Sequence, residues 1–217
     1  MAYSGKVGIG GTPDTRELAD LIITKVAVGP MANNAYLLRC RHTDEQVLVD
    51  AADDASTLLG VIGDGGLARV VTTHRHPDHW QALPTIVEAT GAITVCGEYD
   101  ADDIPVDTAE RVTDGARIAV GTSELQAIHL VGHTPGSIAL LYDDPGGEPH
   151  LFTGDSLFPG GVGKTPSDEA FSSLIDDVER KLFDRLPDET WVYPGHGDDT
   201  TLGAERPHLG EWRERGW

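Results

Sequence analysis

The densest group of chemically useful side chains in the sequence lies in the segment Thr73–His79. This segment holds three histidines and one aspartate within six residues, namely His74, His76, Asp78 and His79. Imidazole nitrogens and carboxylate oxygens are the ligands that zinc, iron and manganese accept in proteins. A single histidine in a loop is usually a solvated polar residue, but four ligand-type side chains at this density indicate a metal site.

Three further positions combine a ligand-type side chain with neighbouring glycines, which let the backbone approach closely. They are His133 within Gly132–Ser137, Asp155 within Thr153–Ser156, and His196 within Pro194–Gly197. Taken singly, each is also compatible with an ordinary loop residue. The remaining histidines belong to no motif and are predicted to be structural or solvent-facing: His42, His129, His150 and His208.

The elements that must position these side chains follow from hydrophobic patterning. Short β-branched or alternating runs predict strands at Leu21–Val28, Ala35–Cys40, Gln46–Ala51, Leu67–Thr73, Ile93–Cys96, His150–Phe158 and Thr190–Tyr193, with a strand-rich interval at Arg111–Tyr142. Apolar residues at helical spacing and glycine stops predict helices at Ala55–Ile62, His79–Thr90 and Pro166–Leu186. Thr165 is the predicted N-cap of the last helix, with Pro166 at its first position. Each ligand-type residue then ends a strand or follows one.

This order of elements predicts an α/β layered protein in which residues 21–116 and 117–217 form two similar halves. A chain of 217 residues is long enough for one full core. The Gly-rich, polar start predicts a flexible N-terminal arm over residues 1–20 and a single domain over 21–217.

Composition narrows the range of partners. Sixteen Lys and Arg against 36 Asp and Glu give a net charge of −20, which disfavours nucleic-acid binding because that depends on clustered cations. No long apolar run predicts a membrane span, and no signal peptide is apparent. Cys40 and Cys96 have no metal or redox spacing, so we expect them to be buried thiols of a cytoplasmic protein. We expect a small-molecule substrate; the oligomeric state is left open.

Together the motifs resemble those of the metallo-β-lactamase fold superfamily. The signature H-x-H-x-D-H at His74–His79, followed by a distant His133, then Asp155 and a final His196, has the order and intervals of that superfamily. The resemblance covers nearly the whole chain beyond the arm. It implies an αβ/βα sandwich, with two mixed β-sheets flanked by helices and the site along one edge of the sheets.

The resemblance also implies a role for each motif residue. It implies that two metal ions are held, the first by His74, His76 and His133, and the second by Asp78, His79 and His196. Asp155 would bridge the two ions. Two close cations lower the pKa of a bridging water, so hydroxide is available at neutral pH to attack a carbonyl carbon. Asp78 and Asp155 are therefore the predicted catalytic carboxylates. The expected cofactors are two divalent ions, with zinc favoured over iron or manganese.

Within the superfamily, the sequence is most similar to single-domain relatives of glyoxalase II (hydroxyacylglutathione hydrolase). Gly154–Phe158 followed by Gly163-Lys164, and the ending Val192–Gly197, carry this likeness. It implies thioester hydrolysis, with Lys164 meeting a carboxylate or amide of the thiol carrier. Only 21 residues follow His196, whereas full glyoxalase II has a helical C-terminal domain that helps to grip glutathione, so we expect weak glutathione affinity.

Two other activities stay open on the same motifs. A persulfide dioxygenase uses one iron, held by the counterparts of His74, His133 and Asp155. An acyl-homoserine lactonase uses all seven ligands. Trp80 is expected either to wall the pocket or to pack as a helix residue.

Overall fold

The structure of the protein, a computed structural model, describes residues 3–216. The strands are β1 (Asp14–Glu17), β2 (Leu21–Val28), β3 (Asn33–Cys40), β4 (Gln46–Val49), β5 (Arg69–Thr72), β6 (Ile93–Gly97), β7 (Glu110–Val112), β8 (Arg117–Val120), β9 (Ser123–His129), β10 (Ile138–Tyr142), β11 (His150–Gly154), β12 (Leu157–Phe158), β13 (Gly161–Val162), β14 (Trp191–Pro194) and β15 (Thr200–Thr201). The α-helices are α1 (Ala55–Ile62), α2 (Leu83–Thr90), α3 (Asp168–Val178), α4 (Leu202–Glu205) and α5 (Leu209–Arg215).

Each half of the chain builds one sheet. The first sheet runs in the order β1 to β7, antiparallel through β4 and parallel from β4 to β7. The second runs β15-β14-β11-β10-β9-β8, and its parallel pair is β11 with β14. Parallel neighbours need a long connection, and α1, α2 and α3 lie in such connections. The predicted α/β class, with two mixed sheets formed by the two halves of the chain, is confirmed.

Three apolar clusters define the layers. The inner faces of both sheets meet in one cluster that includes Leu38 and Val71 from the first sheet and Leu140 from the second. The outer face of the first sheet packs on α1 and α2 through a second cluster. The outer face of the second sheet packs on α3 and α5 through a third, which includes Leu174 and the buried Trp212. Helices therefore cover the outer face of each sheet, as an αβ/βα sandwich requires.

Several predicted boundaries differ from the structure. α3 begins at Asp168, and its N-cap is Ser167, whose hydroxyl accepts a hydrogen bond from Ala170 N, so the predicted cap at Thr165 is wrong. The predicted long helix ends in a π-helical turn at Glu179–Phe183. The helix predicted from His79 begins only at Leu83, because Pro77–His79 forms a separate 3₁₀ turn.

The strand predicted over His150–Phe158 also breaks, at Gly154. Gly154 has a φ of +49°, and a Cβ there would lie 2.7 Å from Thr73 Oγ1. Both facts require glycine at this position. The bend turns the chain out of the sheet just before Asp155.

The segment predicted as a flexible arm contains regular structure. Within residues 3–20, Asp14–Glu17 forms β1, which pairs antiparallel with β2. Ser4 is also tied back, because its N–H and hydroxyl both donate to Asp14 Oδ2, at 2.8 and 2.7 Å. The division into an arm at 1–20 and one domain at 21–217 stays a prediction.

Two expectations from composition concern the cysteines and the membrane. Cys40 and Cys96 are both free and buried. Over residues 3–216, the structure contains no helix that is long and apolar enough to cross a membrane.

Candidate metal centre

Seven side chains from both halves of the chain meet at one edge of the sandwich. His74, His76, Asp78 and His79 follow β5, His133 lies in the turn between β9 and β10, Asp155 follows β11, and His196 follows β14. β5 lies in one sheet, and β11 and β14 are parallel neighbours in the other. Carboxyl ends of parallel strands meet at the same sheet edge, which is where α/β proteins commonly bind ligands.

Three histidines form the first group. His74 Nε2 lies 3.1 Å from His76 Nδ1 and 3.2 Å from His133 Nε2, and His76 Nδ1 lies 2.9 Å from His133 Nε2. A four-coordinate zinc ion about 2.0–2.1 Å from each nitrogen places its ligand nitrogens roughly 3.3 Å apart. The observed separations are close to that value, so this group fits a metal ion.

Asp78, His79 and His196 form the second group. Asp78 Oδ2 lies 3.6 Å from His79 Nε2 and 3.4 Å from His196 Nε2. Asp155 lies between the two groups. Its Oδ2 is 3.6 Å from His133 Nε2 and 3.5 Å from His196 Nε2, and its Oδ1 is 3.3 Å from His79 Nε2. Asp155 is thus within reach of ions in both groups.

Hydrogen bonds on the outer side of four imidazoles fix which ring nitrogen faces the site. The Nδ1–H groups donate outward: His74 to Thr73 Oγ1, His79 to Asp50 Oδ2, His133 to the Lys164 carbonyl and His196 to the Met31 carbonyl, at 3.1, 2.8, 2.6 and 3.2 Å. In the neutral ring, each Nε2 then presents a lone pair to the site, as a metal ligand must. His76 is the exception, because it turns Nδ1 inward.

Two buried atoms in this cluster have no hydrogen-bond partner. They are His79 Nε2 and Asp155 Oδ1. Buried polar atoms are nearly always paired, so an unpaired nitrogen and oxygen that face each other at 3.3 Å call for a further group between them. A metal ion accepts electron pairs from both kinds of atom.

The charges of the protein itself favour a cation here. Burial opposes ionisation of His79, but Asp50 and Asp155 outweigh it and raise the pKa of that imidazole to about 10. For Asp155, burial acts against the charge, yet the nearby imidazoles of His196 and His79 hold its pKa well below the usual range. Burial, reinforced by the nearby His79, lowers the pKa of His74. The site therefore keeps its carboxylates ionised and requires positive charge beside them.

Three supporting residues were not found from the sequence. Asp50 is buried and accepts hydrogen bonds from Thr73 N, Thr73 Oγ1 and His79 Nδ1, each at 2.8 Å. Asn33 Nδ2 donates to Asp78 Oδ2 at 2.9 Å. These residues lie far from the motifs along the chain, so no local spacing marks them.

Asp100 is the third supporting residue, and it connects the two loops that carry the first group. It is fully buried and accepts from Arg75 N, Thr134 Oγ1 and Gly136 N, at 3.0, 2.5 and 2.8 Å. The loop around His76 is thereby held against the loop around His133.

The other residues singled out in the sequence occupy different surroundings. Lys164 is exposed, and its carbonyl supports His133. Trp80 packs on the cluster outside the first sheet, and its Nε1–H donates to the Arg75 carbonyl at 2.8 Å. His42, His129, His150 and His208 belong to none of the candidate metal groups within residues 3–216.

Comparisons with known proteins agree with this picture. The family model of the metallo-β-lactamase superfamily matches residues 28–196. A hydroxyacylglutathione hydrolase of Fuscovulum blasticum is 38% identical over 170 residues, which are 76% of this chain and 62% of that relative. The chain thus spans less than two thirds of that relative's length.

Two solved structures are similar over most of the chain. The structure of ETHE1 from Myxococcus xanthus has a TM-score of 0.77 and 30% identity, covering 88% of this chain and 84% of the other. TTHA1623, solved in a di-iron-bound form, has a TM-score of 0.70 and 32% identity, covering 84% and 96%. By its family match, its fold and its site, the chain belongs to the metallo-β-lactamase superfamily.

Proposed function

We propose that this protein is a dinuclear metal-dependent hydrolase that cleaves a thioester. The observation that carries the proposal is the pair of adjacent ligand groups with Asp155 within reach of both. Zinc is our first candidate for the metal, because the site offers five imidazoles and two carboxylates. Iron is the other candidate, given the relative that was solved in a di-iron-bound form. Two bound ions would lower the pKa of a water molecule and hold positive charge beside the substrate carbonyl oxygen.

The residues of the chain have distinct tasks in this reaction. The first ion would be held by His74, His76 and His133. The second ion would be held by Asp78, His79 and His196, and Asp155 would bind both ions. Asp78, which is part-exposed and held by Asn33, would orient the attacking water and take up its proton. Water adds to the thioester carbonyl carbon, the carbon–sulfur bond breaks, and an acid and a thiol are released.

The thioester class rests on the likeness to a hydroxyacylglutathione hydrolase at 38% identity. Two other substrate classes would use residues of the same site. A lactone would be opened by the same attack on a carbonyl carbon. A persulfide would be oxidised with molecular oxygen at a single iron held by His74, His133 and Asp155.

A substrate and metal panel tests the proposal. Protein loaded with zinc, or separately with iron, is assayed on acyl thioesters, acyl-homoserine lactones and the β-lactam nitrocefin, and on glutathione persulfide with oxygen uptake as the readout. We expect two metal equivalents per chain and fastest turnover on thioesters. His208→Gln is the matched control, because this exposed histidine lies outside the cluster. One equivalent at saturation, with oxygen uptake on the persulfide, would overturn the hydrolase proposal.

Lys164 is our proposed contact for the thiol carrier. Its carbonyl is bonded to His133, so its side chain extends from a backbone fixed beside the first group. In a chain with a net charge of −20, a lysine here would offset repulsion of an anionic substrate. An exposed charge pair contributes about 1 kcal/mol, so Lys164→Ala should raise KM about fivefold for thioesters of a carboxylate-bearing thiol, with kcat nearly unchanged. Equal effects on uncharged thioesters would remove Lys164 from recognition.

A further inference from the structure

Lys25 is a buried cation whose position is not explained by the core. It lies in β2, its side chain is 0% exposed, and its partner Asp199 is 2% exposed. The ammonium donates to Asp199 Oδ1 at 2.6 Å, to the Gly197 carbonyl at 2.8 Å and to the Gly5 carbonyl at 2.7 Å. Replacing a buried ion pair by apolar residues of the same volume is often neutral for stability, so we ask what this pair does for the chain segments around it.

The three acceptors come from two segments that are distant in sequence. Gly197 and Asp199 lie in the loop after β14, and Gly5 lies in the N-terminal segment. Tyr3 strengthens the same junction, because its hydroxyl donates to Asp199 Oδ2 at 2.7 Å. The N-terminal segment is thereby joined to the loop that carries His196.

The loop is held on its other side by β3. Asn34 N donates to the Gly195 carbonyl at 2.7 Å, and Asn34 Nδ2 donates to the Pro194 and Gly197 carbonyls at 2.9 Å each. Tyr36 donates its hydroxyl to the Pro194 carbonyl at 2.7 Å. Backbone on both sides of His196 is therefore fixed by buried donors.

The side chain of His196 has much weaker support of its own. Its Nδ1 lies 3.2 Å from the Met31 carbonyl, its Nε2 lies 3.4 Å from Asn33 Nδ2, and the ring is 22% exposed. His79, its counterpart in the second group, is by contrast fully buried and bonded to Asp50. The direction of the His196 ring thus depends mainly on how its loop is held.

We propose that Lys25, Asp199 and Tyr3 form a clamp that positions His196. The clamp sets how tightly the second ligand group binds its metal ion and leaves the affinity of the first group unchanged. The proposal rests on the proposed dinuclear centre. It makes the N-terminal segment a working part of that centre, although residues 3–20 provide none of the candidate ligands. Lys25 is a positioning residue, since it reaches the site only through the backbone of the loop.

Metal titration tests the clamp directly. Zinc is competed against a chromophoric chelator so that the two equivalents are resolved, in the wild type, Lys25→Met and Tyr3→Phe. Partners that orient metal ligands typically contribute 10- to 100-fold to affinity. We therefore expect Lys25→Met to weaken the second equivalent about tenfold and leave the first within about twofold. Tyr3→Phe keeps the ring and loses one hydrogen bond, and should weaken the second equivalent about threefold.

A matched control separates positioning from a general loss of stability. Arg206→Met removes an ion pair to Asp188 and hydrogen bonds to the Phe183 and Leu186 carbonyls, directly after α4. We expect it to lower Tm and leave both equivalents unchanged. If Lys25→Met and Tyr3→Phe behave like Arg206→Met, or weaken both equivalents equally, the clamp is refuted.

A second readout keeps the clamp testable apart from the dinuclear centre. If the wild type binds a single equivalent, the proposed centre fails, and the imidazole resonances of the metal-free protein then decide the clamp. His196 resonances that broaden in Tyr3→Phe, with those of His74 unchanged, would support it. If Lys25→Met does not fold, Tyr3→Phe carries both measurements. Unchanged His196 resonances would refute the clamp.

Discussion

Asp50 offers the sharpest single test of the candidate centre. In the protein it accepts three hydrogen bonds at 2.8 Å each, from Thr73 N, Thr73 Oγ1 and His79 Nδ1. Asp50→Asn keeps the shape and replaces one acceptor oxygen by a donor. If the amide nitrogen faces His79, it forces the proton of that ring onto Nε2, the atom directed at Asp155. If it faces Thr73 N instead, two buried donors oppose each other.

The expected size follows from the role of Asp50. A carboxylate that fixes the tautomer of a ligand histidine contributes about 10- to 100-fold to metal affinity, or about 1.4–2.7 kcal/mol. The larger loss should fall on the second equivalent, because Asp50 is bonded directly to His79 Nδ1, whereas it reaches His74 of the first group only through Thr73 Oγ1. A buried donor left unpaired also lowers the free energy of unfolding of the metal-free protein by about 1–3 kcal/mol.

The assay is a competition titration of zinc with the variant, together with chemical unfolding in the presence of a chelator. Asp54→Asn is the control, because Asp54 also accepts bonds from a backbone N–H and two hydroxyls, at the exposed start of α1. If Asp50→Asn binds the second equivalent within about twofold of the wild type, the tautomer argument is wrong.

Three further predictions follow from the structure. A Cβ at Gly195 would lie 2.2 Å from Asp155 Oδ1. Gly195→Ala should therefore lower the free energy of unfolding by about 1–3 kcal/mol and weaken metal binding. Gly210 has open space around it, so Gly210→Ala should do neither. Burial lowers the pKa of His150 from 6.5 to about 4. Because the folded protein favours the neutral ring, the free energy of unfolding should fall by about 3 kcal/mol as the pH drops from 6.5 to 4. Urea unfolding at both pH values measures this loss, which should be absent from His150→Gln. Asp155→Ala should abolish turnover and weaken both metal equivalents, whereas His196→Ala should weaken mainly the second; near-normal turnover of Asp155→Ala would remove it from the site.

Local patterns predicted those parts of the fold that local forces decide. The bounds of β2 at Leu21–Val28 and of α1 at Ala55–Ile62 agree with the sequence prediction. A β-branched run between polar turns defines the strand, and an apolar helical face closed by a glycine-rich turn defines the helix. The π-turn at Glu179–Phe183 was not predicted, because one extra residue per turn leaves the apolar spacing readable as α-helix.

The same distinction holds at the candidate site. The seven ligand-type residues stand out in the sequence because four of them cluster within Thr73–His79 and the other three lie beside glycines. Asp50 and Lys25 stand alone in strands or at their ends, and their importance arises only when chain segments 23 to 174 residues apart come together. A buried polar residue of that kind has no signature in sequence spacing.

The two sheets are built from separate halves of the chain, and the candidate ligands come from both. An ion held by His74, His76 and His133 would therefore act as a reversible cross-link between segments 57 residues apart or more. Such a link opposes separation of the sheets by RT ln(1 + [metal]/Kd), about 4 kcal/mol when free metal is a thousand times Kd. Chelation or acid would remove the link without breaking a covalent bond. The concentration of free metal would therefore determine how much free energy is needed to separate the two sheets.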